Sequence, residues 1–215
     1  MAIDFKKELN SEQYDGVVAT EGPVLVLAGA GSGKTRMLTY KIAYLVHSLG
    51  VEPDSILAVT FTNKAATEMR ERVEYLLGHK MKKAWIGTFH SICGRMLRVN
   101  GSTIGIPSDY VIYDAEDSKG LIKEIIQDLN LDTRQIDVKK IAAVISKLKR
   151  KMHTPDEFLS LASNPAEKTL GKIFSIYQEQ LRKFNAVDFD DMISLTVKML
   201  SQKEKIREKY SDKFN

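Results

Sequence analysis

The stretch Ala28-Gly29-Ala30-Gly31-Ser32-Gly33-Lys34-Thr35 constrains this chain more than any other. It follows the apolar run Val24-Leu25-Val26-Leu27 and precedes a segment whose Leu38, Ile42, Leu45 and Leu49 share one helical stripe, stopped by Gly50. A wholly apolar run of this kind predicts a strand buried on both faces of a parallel sheet. The small residues after it let the backbone curl until its N–H groups converge at the positive end of the next helix. A polyphosphate suits that concavity. Lys34 is placed to neutralise the outer phosphates, and the Thr35 hydroxyl to bind Mg²⁺. Ala28 stands where the strict G-x-x-x-x-G-K-[ST] pattern has its first glycine. The residues expected to hold the phosphates of a nucleotide are Ala28, Gly29, Ala30, Gly31, Ser32, Gly33, Lys34 and Thr35, with Lys34 and Thr35 the catalytic pair.

Strand and helix go on alternating up to about Val99. Ile56-Leu57-Ala58-Val59 reads as a second strand, followed from about Lys64 by a helix with Ala65, Met69, Val73 and Leu76 on its inner face and Gly78 at its end. Trp85-Ile86-Gly87 suggests a third strand, leading into a helix through Met96 and Leu97. Such alternation predicts an α/β fold with a parallel sheet. After about Pro107 the texture becomes helix upon helix. Thr154-Pro155-Asp156-Glu157 and Asn164-Pro165-Ala166-Glu167 each set a capping residue, a proline at the first helical position and a glutamate at the third. Asp188 caps a further helix through Ile193 and Leu195, and a charged helix runs to Tyr210. The expectation is a phosphate-loop α/β domain carrying an all-helical insertion.

Composition supports that class. Of 215 residues, 43% are apolar and 28% charged, which suits one soluble globular domain with an insertion and excludes bulk disorder. No apolar run is long enough to span a bilayer and MAIDFKKELN has no hydrophobic signal core, so a cytoplasmic protein is expected. Cys93 is the only cysteine, which excludes an internal disulfide framework and a cysteine-rich zinc site. The net charge of +4 is a local matter. Val138 to Pro155 contains no carboxylate but holds Lys139, Lys140, Lys147, Lys149, Arg150 and Lys151; Lys80, Lys82 and Lys83 precede Trp85. Each cluster either meets an anionic polymer or is a solvated face.

The loop does not name the reaction. Hydrolysis at a phosphate loop also needs a second strand ending in acids. Val111-Ile112-Tyr113-Asp114-Ala115-Glu116 is the nearest candidate, but Asp114 with Asp117 makes a better helix start. Asp188, Asp190 and Asp191 have no apparent apolar strand before them.

Five stretches point to one family. Leu9-Asn10-Ser11-Glu12-Gln13, the AGAGSGKTR loop, Thr60-Phe61-Thr62-Asn63-Lys64-Ala65-Ala66, Gly87-Thr88-Phe89-His90-Ser91 and Asp188-Phe189-Asp190-Asp191 occur in this order. Together they resemble the UvrD/Rep/PcrA group of superfamily 1 DNA helicases, over nearly the whole chain. The resemblance implies a P-loop NTPase (RecA-like) domain 1A at residues 1–107, a helical insertion 1B at 108–185, and a return to 1A at 186–215. It assigns Gln13 and Arg36 to the adenine of ATP, and Phe61, Thr62, Asn63, Thr88, Phe89, His90 and Ser91 to single-stranded DNA. An aromatic face beside small polar groups suits that role, because bases stack on rings. The basic face from Lys147 to Lys151 is implied to meet duplex DNA at single-strand/double-strand junctions. ATP and Mg²⁺ are the implied cofactors, and 3′→5′ translocation in DNA repair or replication the implied activity. Family members continue into a DE-x-Q-D motif and a second RecA-like domain, whereas this sequence stops at Phe214-Asn215. A piece of a longer helicase is therefore expected, inactive without its C-terminal domains. A nucleotide-gated DNA-binding module, a small-molecule phosphotransferase and the helicase part of a helicase–nuclease are the alternatives.

Overall fold

The structure is a computed structural model that describes residues 3–78, 81–131 and 137–214; Lys80 of the second basic cluster lies outside the described residues. The chain divides into two compact units, Met1–Ile92 with Glu208–Asn215, and Cys93–Arg207.

The first unit begins with helices α1 (Phe5–Glu8), α2 (Ser11–Val18) and α3 (Lys34–His47). Strand β1 (Leu57–Thr60), helix α4 (Asn63–Leu77) and strand β2 (Trp85–Thr88) follow, and helix α5 (Phe89–Asn100) opens here. The strands run parallel, with Leu57 opposite Trp85 and Thr60 opposite Thr88. Helix α4 shows why these segments fold as they do. The Thr62 side chain accepts from the Ala65 N–H at its start, Met69 and Val73 fall on its inner stripe, and Gly78 ends it in the left-handed region. That stripe packs with Ile42 of α3, Ala58 of β1 and Ile86 of β2. Each such aliphatic side chain stabilises the fold by roughly 1.5–3 kcal/mol when fully buried. A second cluster, Phe5, Val17, Tyr40 and Ala43, fastens α1 and α2 to α3.

The expected first strand does not form. Val24–Leu27 forms no regular element and belongs to neither sheet, and its side chains are 45%, 83%, 40% and 86% exposed. An apolar run signals burial, but a strand exists only where a neighbour supplies the other half of its hydrogen bonds. Among the described residues β1 and β2 pair with each other, and no strand pairs with this segment.

The second unit contains strand β3 (Val111–Tyr113), helices α6 (Ala115–Asp128), α7 (Val138–Arg150), α8 (Pro155–Leu161) and α9 (Pro165–Lys183), strand β4 (Ala186–Asp188) and helix α10 (Phe189–Gln202). Helix α11 (Glu204–Lys213) then leads into the first unit. Ile122 and Ile126 of α6, Ile145 of α7, and Ile173, Phe174 and Tyr177 of α9 form the core. The proline-marked starts are as expected: Thr154 caps α8 in a full capping box and Asn164 caps α9.

Two expectations fail in this unit. Residues 108–185 are not all helical, because β3 lies among them and pairs in parallel with β4, Val111 opposite Ala186 and Tyr113 opposite Asp188. That pairing also places a short strand directly before the acidic knot. Three-residue strands carry too little alternation to be read from sequence. Lys149, counted in the basic face, is instead 4% exposed. Its Nζ lies 2.5 Å from Asp188 and 2.9 Å from Asp191, while the Tyr177 hydroxyl donates to Asp188 at 2.8 Å. Burial, opposed by the Lys149 charge, holds the Asp191 carboxyl above the usual range.

Candidate functional site

The glycine loop ends in helix α3 without a side-chain cap. Gly33 is its N-cap, at φ +83°, and Gly31 sits at φ +77°. Both lie in the left-handed region, where a Cβ would strain the backbone. The first N–H groups of α3 thus keep their hydrogen-bonding capacity for a ligand, at the positive end of a 14-residue helix. Lys34 reaches back over the bend: its Nζ donates to the Ala28 carbonyl at 3.1 Å and the Gly29 carbonyl at 2.5 Å. The Ser32 hydroxyl donates to the same Gly29 carbonyl at 2.8 Å. A cavity of about 250 Å³ opens beside the loop, lined by Asn10, Gln13, Leu27, Ser32, Gly33 and Lys34 among others.

Helix α2 brings Gln13 to this cavity. Gln13 is the third residue of α2, and a capping box with Asn10 fixes it there. Its Nε2 donates to the Ser32 carbonyl at 3.0 Å. Arg36, one turn into α3, donates from Nη2 to the Glu8 carbonyl at 2.7 Å and to the Glu8 carboxylate at 2.9 Å. Its guanidinium carbon lies 5.1 Å from the Tyr40 ring centroid. The Tyr40 hydroxyl also donates to Glu8, and its pKa is raised, chiefly by burial. Glu8 is the residue that sequence reasoning missed. An acid one position before the Leu9–Gln13 stretch was the available signal.

Thr35 is exposed at the second position of α3. No group of three His, Cys, Asp or Glu side chains that could hold a metal ion occurs among the described residues. The chemistry present suits a magnesium ion carried mainly by phosphate oxygens and water, to which a single hydroxyl is added.

At the C-terminal ends of β1 and β2, seven further residues assemble. Phe61 is 90% exposed and Phe89 44% exposed, with ring centroids 5.8 Å apart and planes tilted by 45°. Asn63 opens α4 at the surface. The hydroxyls of Thr62, Thr88 and Ser91 are engaged in helix starts. Thr62 caps α4, and Thr88, which is buried, accepts from the Ser91 N–H at 3.2 Å. The Ser91 hydroxyl donates back to the Thr88 carbonyl at 2.9 Å. His90 is half-buried. The edge therefore presents two phenyl rings and an amide to solvent, an arrangement on which planar bases can stack.

Residues 9–215 match the family described as the UvrD/REP helicase N-terminal domain. The chain is 42% identical over 208 residues to a protein of Staphylococcus epidermidis named ATP-dependent DNA helicase PcrA, a stretch covering 97% of this chain and 28% of that protein. Proteins with the same name from Leuconostoc citreum and Staphylococcus aureus are 42% and 41% identical over 96% of this chain. The chain spans 28% of the length of each of these relatives.

Proposed function

Because the chain belongs to the family of UvrD/REP helicase N-terminal domains, we propose that it is the ATP-binding and single-stranded-DNA-binding portion of an ATP-dependent 3′→5′ DNA helicase or translocase. The observation that carries this reading is the start of α3, which has no side-chain cap, follows Gly31 and Gly33 in the left-handed region, and has Lys34 folded back over the bend. Lys34, now on the Ala28 and Gly29 carbonyls, would hold the outer phosphates of ATP, and the Thr35 hydroxyl would help hold Mg²⁺, whose chemistry there would be charge neutralisation. Gln13 and Arg36 take the adenine. Phe61 and Phe89 stack bases, with Asn63 and main-chain N–H groups on phosphates. Lys140, Lys147 and Lys151, all exposed, are left to face duplex DNA now that Lys149 is turned inward.

Residues 1–107 and 186–215 form a RecA-like domain 1A in this reading, and 108–185 the 1B insertion. In the same reading the rest of the full-length protein would supply the acids that activate water, a second RecA-like domain, and strand partners for the apolar Val24–Leu27. The 215-residue chain alone then binds ATP but hydrolyses it hardly at all. Calorimetric titration with ATP–magnesium tests this. The chain is expected to bind, and Lys34→Ala to weaken binding at least tenfold and to abolish DNA-stimulated hydrolysis in the full-length protein. Unchanged binding by Lys34→Ala, or rapid DNA-dependent turnover by the 215-residue chain, would overturn it.

A further inference from the structure

The Gln13 side chain has more hydrogen-bonding capacity than reading a base requires. An amide carries two donors on Nε2 and two lone pairs on Oε1. One donor goes to the Ser32 carbonyl at 3.0 Å, and one lone pair accepts the Asn10 N–H at 3.3 Å. Among the described residues one donor and one acceptor of the same amide remain unused, the pair that complements an adenine edge.

The Ser32 bond acts on more than a carbonyl. A trans peptide points its C=O and N–H in opposite directions, so anchoring the Ser32 oxygen also aims the Gly33 N–H. Gly33 is the N-cap of α3, and its amide lies in the bend that delivers Lys34. The packing is close: a Cβ built on Gly33 would meet Gln13 Nε2 at 2.5 Å. Glycine at this position therefore serves both the φ of +83° and the seat of the Gln13 amide.

We propose that Gln13 is a positioning residue for the phosphate loop, orienting the Ser32–Gly33 peptide while its remaining donor and acceptor face the base. Base recognition and phosphate binding are then coupled through a single amide whose far side is braced by the capping box of α2. This rests on the nucleotide-site reading above and adds to it a dependence that a simple base reader lacks: Gln13 matters for a ligand that has no base.

Inorganic tripolyphosphate with magnesium is that ligand, titrated calorimetrically into the 215-residue chain. Gln13→Met keeps side-chain length, adds no charge and leaves the Asn10 side chain bonded to the residue-13 main chain. It is expected to weaken tripolyphosphate binding roughly five- to tenfold, as loss of one orienting hydrogen bond implies, and ATP binding by more. In the unmodified chain, which does not depend on a variant's folding, saturating adenine is expected to tighten tripolyphosphate binding severalfold. Wild-type tripolyphosphate affinity in a folded Gln13→Met, or independent binding of adenine and tripolyphosphate, overturns the inference alone. Failure of the unmodified chain to bind either ATP or tripolyphosphate would remove the nucleotide site and the inference with it.

Discussion

Lys149 shows how much a single residue can decide here. Six basic residues lie between Lys139 and Lys151, and five of them are exposed. Lys149 alone among them is buried, its ammonium between the carboxylates of Asp188 and Asp191 and 4.9 Å from the Tyr177 ring centroid. Asp188 caps α10 and Asp191 closes the capping box, so the lysine ties α7 to the start of α10. Replacing it by methionine leaves two buried carboxylates without a cation, a change that costs about 3–5 kcal/mol. Urea denaturation followed by circular dichroism should show that loss for Lys149→Met. It should show much of it restored when Asp188→Asn and Asp191→Asn are added, since asparagine still caps. The sequence did hold a signal: Lys149 is four residues after the buried Ile145, on the stripe that faces the core. Its charge argued the other way, and without the partner acids in view the charge prevailed. Gln13 is a similar case, legible only through family resemblance and only as a base reader. Its bond to Ser32 joins positions 19 apart in the chain and needed the fold.

Helix starts were the most legible elements, because a cap is a local bargain between one side chain and the next turn. Asp114, Glu157 and Glu167 illustrate it. Main-chain N–H groups of Asp117 and Glu116, of Thr154, and of Ser163 respectively donate to these carboxylates and hold their pKa values below the ordinary range. A lowered pKa in the folded state stabilises above the unfolded value and is lost as pH falls through the folded one. Helices α6, α8 and α9 are therefore expected to lose stability as pH drops below the usual carboxylate range. The acid limb of a plot of melting temperature against pH should flatten in Asp114→Asn with Glu157→Gln and Glu167→Gln. Asp191 acts with the opposite sign: its raised pKa favours the fold at low pH and that contribution fades as pH rises. Strands were read less well. β1 and β2 were found because each is a compact apolar run, whereas β3 and β4 are three residues each. Val24–Leu27 shows the converse, since an apolar run states a preference for burial without naming the strand that would satisfy it.

At the scale of the molecule, the first unit is closed by residues from both ends of the chain. Trp85, the only tryptophan, begins β2 and is buried against Tyr210 and Phe214, at centroid distances of 5.8 and 5.3 Å. Lys213 pairs with Asp54 at 2.9 Å. Removing residues 208–215 would uncover the indole, so the tryptophan emission of the shortened chain is expected to shift to the red and its melting temperature to fall. Unchanged emission would show that the terminal segment does not cover Trp85. No described helix is long and apolar enough to cross a membrane, which agrees with the absence of a long apolar run.

By itself, the sequence determined the local features: the glycine bend, the α/β alternation, the capped helix starts and the family. The bend, each strand or helix and each cap depend on residues within a few turns of one another, and the family on the order of short stretches along the chain, so composition and spacing carry them. Tertiary structure alone decided which lysine turned inward, which apolar run found a strand partner, and that Gln13 grips the loop. Those outcomes depend on groups far apart in the chain, and a hydrogen bond or an ion pair forms only where folding has brought its second half within reach.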